Sequence, residues 1–192
     1  MNTDFIKGVV VPMITPIDKD ELIDEAAIRS QVDYVIDGGV SGILLFGSNG
    51  EFYVVEEDEM ERGLKIVVDQ AAGRVPVYFG IGAISTKKCV RLAKMAVANG
   101  AASVSVLQPM FLKPTETELF THFKAIADAI PETPVLLYNN PGRVGYTLSA
   151  NLVERLAHEV PNIVGMKDTS GDITQTSEFI RRNRDVDFKV FG

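Results

Sequence analysis

The sequence predicts an α/β protein built as a (β/α)8 TIM barrel that is truncated after its seventh strand. Short apolar segments alternate with amphipathic segments along the whole chain, a pattern that is typical of a parallel sheet covered by helices. No low-complexity linker or change in composition divides residues 1–192, so a single barrel domain is predicted. Polar residues gather where the apolar segments end, which is where barrels carry their functional loops.

The first strand and helix set the pattern that the rest of the chain repeats. Residues 8–15 form a largely apolar run that Pro16 ends. Asp24 is a good N-cap for the first helix, in which apolar residues recur at helical spacing until Gly38 and Gly39 end it. A strand followed by an amphipathic helix is the repeating unit of a parallel sheet.

The remaining elements alternate in the same order. Each strand is a short apolar run, and most helices begin at a capping residue or at an acidic first turn. Strands are predicted at 43–46, 77–80, 104–107, 135–138, 163–167 and from 188 onward, and helices at 56–71, 85–99, 115–129, 149–159 and 174–183.

A doubly wound open sheet is the competing architecture. Such a sheet usually carries a glycine-rich phosphate loop after its first strand, but here that turn is Thr15-Pro16-Ile17-Asp18. The Gly80-Ile81-Gly82 segment is too slight to be a dinucleotide fingerprint. A closed barrel needs eight strands, and a parallel sheet that stops abruptly leaves an unpaired apolar edge that natural proteins avoid. A truncated form of a longer barrel is therefore favoured over an open sheet.

The composition excludes several classes of partner. The formal net charge is −7 and no Lys/Arg cluster occurs, whereas nucleic acids and anionic membranes require a concentrated basic face. No stretch has the length of a membrane span and residues 1–7 lack the features of a signal peptide, so a cytoplasmic protein is expected, with no nucleic-acid and no membrane partner. The single cysteine, Cys89, is predicted to be a buried packing residue, and His122 and His158 to be surface or packing residues rather than metal ligands.

A lysine at the end of an apolar strand is the strongest candidate for chemistry. Residues 163–166 are predicted to form a short buried strand, and Lys167 follows them. Because side chains alternate along a strand, Ile163, Gly165 and Lys167 are predicted to share one face. An ammonium group in an apolar interior is costly to keep charged, and a neutral amine forms Schiff bases with carbonyl compounds. The alternative from this stretch alone is a lysine whose head reaches solvent.

Two further strand ends carry polar residues that would meet Lys167 in a barrel. Ser48 and Asn49 lie between glycines after the second strand, where backbone N–H groups can approach a carboxylate. Tyr138 ends the fifth strand and can move a proton, and Arg143 can hold a second carboxylate through its planar guanidinium. Each has an ordinary structural explanation when taken singly, but together at one rim they predict a site.

Three segments around these residues resemble the signature segments of the dihydrodipicolinate synthase and N-acetylneuraminate lyase family. They occur in the family's order and spacing, and the likeness runs over residues 8–192. The segments are Gly47-Ser48-Asn49-Gly50-Glu51, Tyr138-Asn139-Asn140-Pro141-Gly142-Arg143 and Gly165-Met166-Lys167-Asp168-Thr169-Ser170-Gly171-Asp172.

The resemblance implies both an architecture and a mechanism. It implies a (β/α)8 barrel, usually a homotetramer, that acts as a class I aldolase without a metal or an organic cofactor. By the same resemblance Lys167 forms the Schiff base with pyruvate and Tyr138 transfers protons. Ser48 and Asn49 then contact the pyruvate carboxylate and orient the tyrosine, and Arg143 holds the carboxylate of the acceptor substrate.

The chain departs from the family pattern at several positions. Phe111 stands where dihydrodipicolinate synthases carry a tyrosine that a neighbouring subunit contributes to a proton relay, and Asn49 stands where a threonine is usual. Positions that bind the inhibitor lysine in some synthases are occupied by Glu57, Met60, Ile84 and Lys88. Inhibition by free lysine is therefore not expected, which a dose–response assay would check.

Three functional hypotheses follow. The leading one is a Schiff-base lyase that condenses pyruvate with a small aldehyde, with the dihydrodipicolinate-forming step of lysine biosynthesis as the named activity, because members that act on sugar acids often lack Arg143. The second is a 2-keto-3-deoxy sugar-acid aldolase or N-acetylneuraminate lyase, which Phe111 favours. The third is a truncated, non-catalytic paralogue that binds a 2-oxo acid or a full-length partner.

Overall fold

The computed structural model describes residues 1–192 as one parallel sheet with helices on its outer face. The seven strands pair in sequence order, and each pairing is parallel. The strands are β1 (Val10–Pro12), β2 (Gly42–Leu45), β3 (Val77–Ile81), β4 (Ser103–Leu107), β5 (Val135–Asn139), β6 (Ile163–Asp168) and β7 (Lys189–Phe191). The helices are α1 (Glu25–Asp37), α2 (Glu57–Ala71), α3 (Thr86–Ala98), α4 (Glu116–Asp128), α5 (Pro141–Val144), α6 (Ala150–Glu159) and α7 (Ile173–Arg182).

One cavity shows that the sheet curls around an interior. Every strand contributes one residue to its wall: Val10, Leu44, Tyr78, Ser105, Leu136, Lys167 and Phe191. At the opposite end from the loops after the strands, Thr3 Oγ1 donates to Asp187 at 2.7 Å, so the N-terminal segment reaches across to the start of β7. The arrangement is the predicted (β/α)8 barrel with seven of its strands present.

Capping side chains fix where most helices begin. An oxygen of the side chain before the helix accepts a hydrogen bond from a first-turn N–H group at five helices, and each such cap contributes about 1 kcal/mol. The capping residues are Asp24, Ser85, Thr115, Ser149 and Asp172. The predicted helices are thus confirmed to within one or two residues, and the short α5 is an addition that the sequence pattern did not predict.

Two hydrophobic layers hold the fold together. The larger one comprises 41 buried residues, most of them between the sheet and the helices. The smaller one, which borders the cavity inside the sheet, is made of Ile6, Leu44, Tyr78, Leu136 and Val164. Burial from both sides explains why the strands are largely apolar.

A β-bulge in β6 corrects one detail of the sequence prediction. Val135 of β5 pairs with Ile163, but the next residue, Leu136, pairs with Gly165, so Val164 is an extra residue in β6. Ile163 packs in the larger layer and Val164 in the smaller one. The prediction that Ile163 shares a face with Gly165 was therefore wrong, because a bulge resets the alternation of side chains.

Cys89 lies in the protein interior, as the sequence predicts. Cys89 is fully buried in α3, and burial raises the pKa of its thiol to about 12, so the prediction of a packing residue is confirmed. None of the helices has both the length and the apolar character that crossing a bilayer requires.

His122 is a buried histidine whose surroundings favour the neutral ring. Its Nδ1 lies 2.8 Å from the Thr86 hydroxyl, and its Nε2 has no hydrogen-bond partner. Burial lowers the pKa of His122 to about 4. The ring links the first turn of α3 to α4 as a packing residue.

Acid is expected to destabilise the protein through His122. Between pH 6.5, the ordinary pKa of histidine, and about 4, the unfolded chain binds a proton that the folded chain does not, so the free energy of unfolding falls as the pH is lowered. The expected loss between pH 7 and pH 5 is about 2 kcal/mol, measured by urea denaturation. His122→Gln should remove most of this loss, whereas His158→Gln should leave it in place. An equal loss in the His122 variant would contradict the assignment.

Candidate active site

Three of the predicted site residues meet at the rim formed by the carboxyl ends of the strands. Lys167 of β6 is the cross-strand partner of Tyr138 of β5. The Nζ atom of Lys167 lies 4.8 Å from the centroid of the Tyr138 ring. The Oγ atom of Ser48, just after β2, lies 3.3 Å from the Tyr138 hydroxyl. The curl of the sheet therefore brings together side chains from three separate strand ends.

Lys167 lines the cavity, and its amine has no acidic partner. The side chain is half-buried and takes part in no ion pair of the structure. The cavity has a volume of about 240 Å³, and apolar side chains, among them Leu44, Leu136 and Phe191, make up most of its wall. An amine that no carboxylate neutralises, at the wall of an apolar cavity of this size, is placed to attack the carbonyl group of a small molecule.

The Tyr138 hydroxyl has two protein partners. One is Ser48 Oγ, and the other is the side-chain amide of Asn140, whose Nδ2 donates to it at 2.7 Å. The sequence pattern did not single out Asn140, although it lies inside the second signature segment. Its spacing of two from Tyr138 is the signal that could have found it, since residues two apart on an extended chain point to the same side.

The turn that carries Ser48 has two free donors. The N–H groups of Gly50 and Glu51 bond to carbonyls within the turn, whereas those of Ser48 and Asn49 donate to no protein acceptor. Successive free N–H groups of this kind form an anion-binding concavity. The side chain of Asn49 is exposed and makes no hydrogen bond, so in this structure it does not orient Tyr138. A turn with such free N–H groups can bind a carboxylate through its backbone.

The close approach of β2 and β3 holds this turn in place. A Cβ atom on Gly80 of β3 would lie 2.4 Å from the carbonyl oxygen of Phe46, far inside van der Waals contact. Phe46 itself has a φ of 51°, in the left-handed region that non-glycine residues seldom adopt. On the other side, Thr15 Oγ1 donates to the carbonyl of Gly50 at 2.7 Å. The turn is therefore braced against the segment that follows β1 and against β3.

Arg143 lies in α5, which directly follows β5. Its side chain is exposed and takes part in no ion pair, and it makes no contact with Lys167, Tyr138 or Ser48. The structure thus places a free guanidinium group beside the rim, separate from the three residues that contact one another. Such a group can pair with the carboxylate of a substrate that extends outward from the cavity.

A buried network of polar side chains joins the strand ends next to the rim. The sequence pattern did not reveal this network. Asn139 Nδ2 donates to Asp168 Oδ1 at 2.9 Å, and Gln108 Nε2 donates to Asn139 Oδ1 at 3.1 Å. Gln108 Oε1 in turn accepts from the backbone N–H of Asn140 at 3.0 Å. These side chains join the ends of β4, β5 and β6. Because each is buried and hydrogen-bonded, the network fixes the backbone on which Tyr138 and Lys167 sit.

Phe111 stands apart from the site. Its side chain is 92% exposed. Its φ of 81° is again left-handed. Ile84 and Leu112 are exposed on the same side of the molecule, where they line a surface groove with Phe111.

Comparisons with known proteins agree with this geometry. The model of the dihydrodipicolinate synthetase family matches residues 5–192. A 4-hydroxy-tetrahydrodipicolinate synthase of Salinibacter ruber is 38% identical over 179 residues, which is 93% of this chain and 59% of the relative. One of Pelobacter propionicus is 40% identical over 174 residues, or 91% of this chain and 59% of the relative. The chain thus spans about three fifths of the length of these relatives.

Solved structures give the same result. A chloride-inhibited dihydrodipicolinate synthase of Acinetobacter baumannii, complexed with pyruvate, superposes with a TM-score of 0.92 at 36% identity, covering 96% of this chain and 62% of the other. A prophage protein of the dihydrodipicolinic acid synthase family from E. coli K12, also in complex with pyruvate, gives a TM-score of 0.91 at 30% identity, covering 95% and 62%. Sequence and fold agree, and the chain belongs to the dihydrodipicolinate synthetase family.

Proposed function

We propose that this chain carries the active centre of a pyruvate-dependent class I lyase in which Lys167 is the Schiff-base nucleophile. The observation that supports this most is the amine of Lys167, free of any acidic partner, 4.8 Å from the ring of a tyrosine that is hydrogen-bonded to Ser48. The pyruvate complexes of two structural neighbours support pyruvate as the donor substrate. No step of this chemistry requires a metal or an organic cofactor.

The proposed reaction assigns a role to each side chain of the rim. The free N–H groups of Ser48 and Asn49 bind the carboxylate of pyruvate, and Lys167 Nζ attacks its carbonyl carbon. Tyr138 donates a proton to the departing oxygen, so that water leaves and a protonated imine forms. Tyr138 then accepts a proton from the methyl carbon, which gives an enamine that attacks an aldehyde.

The acceptor proposed first is the aldehyde used in dihydrodipicolinate synthesis, a step of lysine biosynthesis. Curated relatives of this chain are named as 4-hydroxy-tetrahydrodipicolinate synthases, and Arg143 offers a free guanidinium for an acceptor carboxylate. A sugar-acid aldolase or N-acetylneuraminate lyase is the second candidate, because Phe111 cannot supply a hydroxyl group. A chain that binds a 2-oxo acid without turnover is the third.

Sodium borohydride reduction in the presence of pyruvate tests the proposal. Reduction of the imine should add a stable pyruvate-derived mass to the chain, located on the peptide that contains Lys167. Assays with pyruvate plus aspartate semialdehyde, and with sugar acids, then separate the first two candidates, and steady turnover excludes the third. The absence of any adduct on a folded sample would overturn the proposed chemistry.

The proposed setting is a cytoplasmic homo-oligomer, a tetramer by family resemblance, with no nucleic-acid or membrane partner. The exposed apolar groove around Ile84, Phe111 and Leu112 supports a contact between copies. The net charge of −7 supports the absence of a nucleic-acid partner.

Insensitivity to free lysine is also part of this proposal. Glu57 is already paired with Arg91 at 2.6 Å and with Lys88 at 3.2 Å. The Arg91 guanidinium lowers the pKa of Glu57 to about 2, which reflects how fully this carboxylate is engaged. A free amino acid would have to displace these partners, so we expect millimolar lysine to leave the initial rate unchanged. A graded inhibition curve would contradict this expectation.

A further inference from the structure

Asn140 occupies the N-cap position of α5 without capping it. Asparagine at this position usually turns its side-chain oxygen toward the free N–H groups of the first turn. Here the side chain makes no such bond, and its Nδ2 donates to the Tyr138 hydroxyl instead. At 2.7 Å this contact is shorter than the 3.3 Å contact between Tyr138 and Ser48. The side chain of Asn140 therefore bonds to Tyr138 and leaves the first turn of α5 without a side-chain cap.

The backbone of Asn140 is held on both sides. Its N–H group donates to Gln108 Oε1 at 3.0 Å, and its carbonyl accepts from the N–H groups of Arg143 and Val144, both at 3.1 Å. The residue is only 9% exposed. Because main chain and side chain are both engaged, the amide is in place before any substrate binds.

The chemistry of the amide sets the direction of the tyrosine's proton. An NH2 group can only donate, so the Tyr138 oxygen must accept from Asn140. The tyrosine's own proton is then directed away from Asn140, toward Ser48. When the proton leaves, the same N–H group becomes a charge-assisted donor to the phenolate, which is a stronger bond than the one it replaces.

We infer that Asn140 is a positioning residue that makes Tyr138 a directed proton donor and stabilises the phenolate between the two proton transfers. The inference rests on the proposed Schiff-base chemistry. In the first transfer, the O–H bond of Tyr138 breaks as water leaves the carbinolamine on Lys167, which yields a protonated imine and a phenolate. In the second transfer, a methyl C–H bond of the imine breaks, its electron pair forms the enamine, and the proton restores the phenol. Asn140 gains and loses no atom in either step.

Exchange of the pyruvate methyl protons with D2O, followed by proton NMR, measures the second transfer and needs no aldehyde. In Asn140→Asp the side chain keeps its shape, but the NH2 donor is replaced by a carboxylate. The carboxylate accepts a hydrogen bond from the Tyr138 hydroxyl and repels the phenolate. Its exchange rate should fall on the order of 100-fold below wild type, as when one preorganised donor to a developing anion is removed. Asn140→Leu, which has neither donor nor charge, should lose about 10-fold, the effect of removing one hydrogen bond. Asn151→Asp makes the same chemical change on α6, away from the rim, and should exchange at the wild-type rate.

The pattern of results decides between a positioning role and a packing role. Imine trapped by borohydride after long incubation should be present in all four proteins, since the amine is intact in each. An exchange rate in Asn140→Asp close to that of wild type would overturn the inference, as would an Asn140→Leu protein slower than Asn140→Asp, because shape alone would then explain the effect. Loss of the trapped imine in Asn140→Asp would assign the residue to pyruvate binding instead. If wild type itself forms no imine, the proposed function fails first and the inference fails with it.

Discussion

Lys167→Met is expected to abolish pyruvate-dependent activity by a factor on the order of 10⁵ or more, because the nucleophile is removed and no other amine lines the cavity. Methionine is unbranched and fits where the lysine stem lies, and the Lys167 amine makes no ion pair or protein hydrogen bond, so folding should be preserved. Mass spectrometry after borohydride reduction with pyruvate measures the effect directly. The wild-type chain should gain one adduct and the variant none.

Lys65→Met is the matched control for this experiment. Lys65 is an exposed lysine of α2 whose amine pairs with Glu61 at 2.7 Å, so its loss should change the stability by less than about 1 kcal/mol and leave the adduct in place. The melting temperatures of the three proteins should agree within a few degrees. An adduct that persists on the Lys167 variant would locate the nucleophile elsewhere in the chain.

Tyr138→Phe is expected to separate imine formation from proton transfer. The ring remains beside Lys167, but the hydroxyl that gives and takes protons is gone, so exchange of the pyruvate methyl protons should slow by about 10²- to 10⁴-fold. Imine should still accumulate at the end point of a long incubation, because water can protonate the departing oxygen slowly. Proton NMR in D2O and borohydride trapping on the same samples measure the two quantities.

Loss of stability must be distinguished from loss of chemistry in this variant. Removing the Tyr138 hydroxyl leaves Asn140 Nδ2 and Ser48 Oγ without a partner, at a cost of about 1–3 kcal/mol. Tyr146→Phe removes another buried hydroxyl, which donates to the carbonyl of Pro109 at 2.6 Å, and should cost a similar amount. Slow exchange in the Tyr138 variant alone would assign the effect to proton transfer. If exchange slows equally in both variants, the effect is due to loss of stability and not to loss of proton transfer.

The strands, the helices and the site residues differ in how well the sequence could predict them. The strands followed from short apolar runs, and the helices from apolar spacing and from capping residues such as Asp24 and Ser149. The rim followed from the polar residues at the strand ends, since a parallel barrel gathers those ends at one face. Lys167 and Tyr138 pair across the sheet because both strands end at the same height.

The features that the sequence did not reveal depend on three-dimensional detail. Alternation of side chains cannot register the extra residue Val164, because a bulge is visible only against the partner strand. Asparagine is a common N-cap residue, and only the side-chain conformation of Asn140 shows that it donates to Tyr138 instead. The network of Gln108, Asn139 and Asp168 joins residues about 30 positions apart in the chain, and no local pattern connects them.

The bracing of the rim has a consequence for motion. The ends of β4, β5 and β6 are joined through Asn139. The turn after β2 is bonded to Thr15, in the segment that follows β1, and packs closely against Gly80 of β3. Among the side-chain contacts of the rim, the 3.3 Å pair of Ser48 and Tyr138 is what joins these two halves. Because β3 and β4 are paired along their length, the two halves cannot slide past each other as separate bodies. The contact between Ser48 and Tyr138 therefore holds the turn after β2 at a set distance from the Tyr138 hydroxyl.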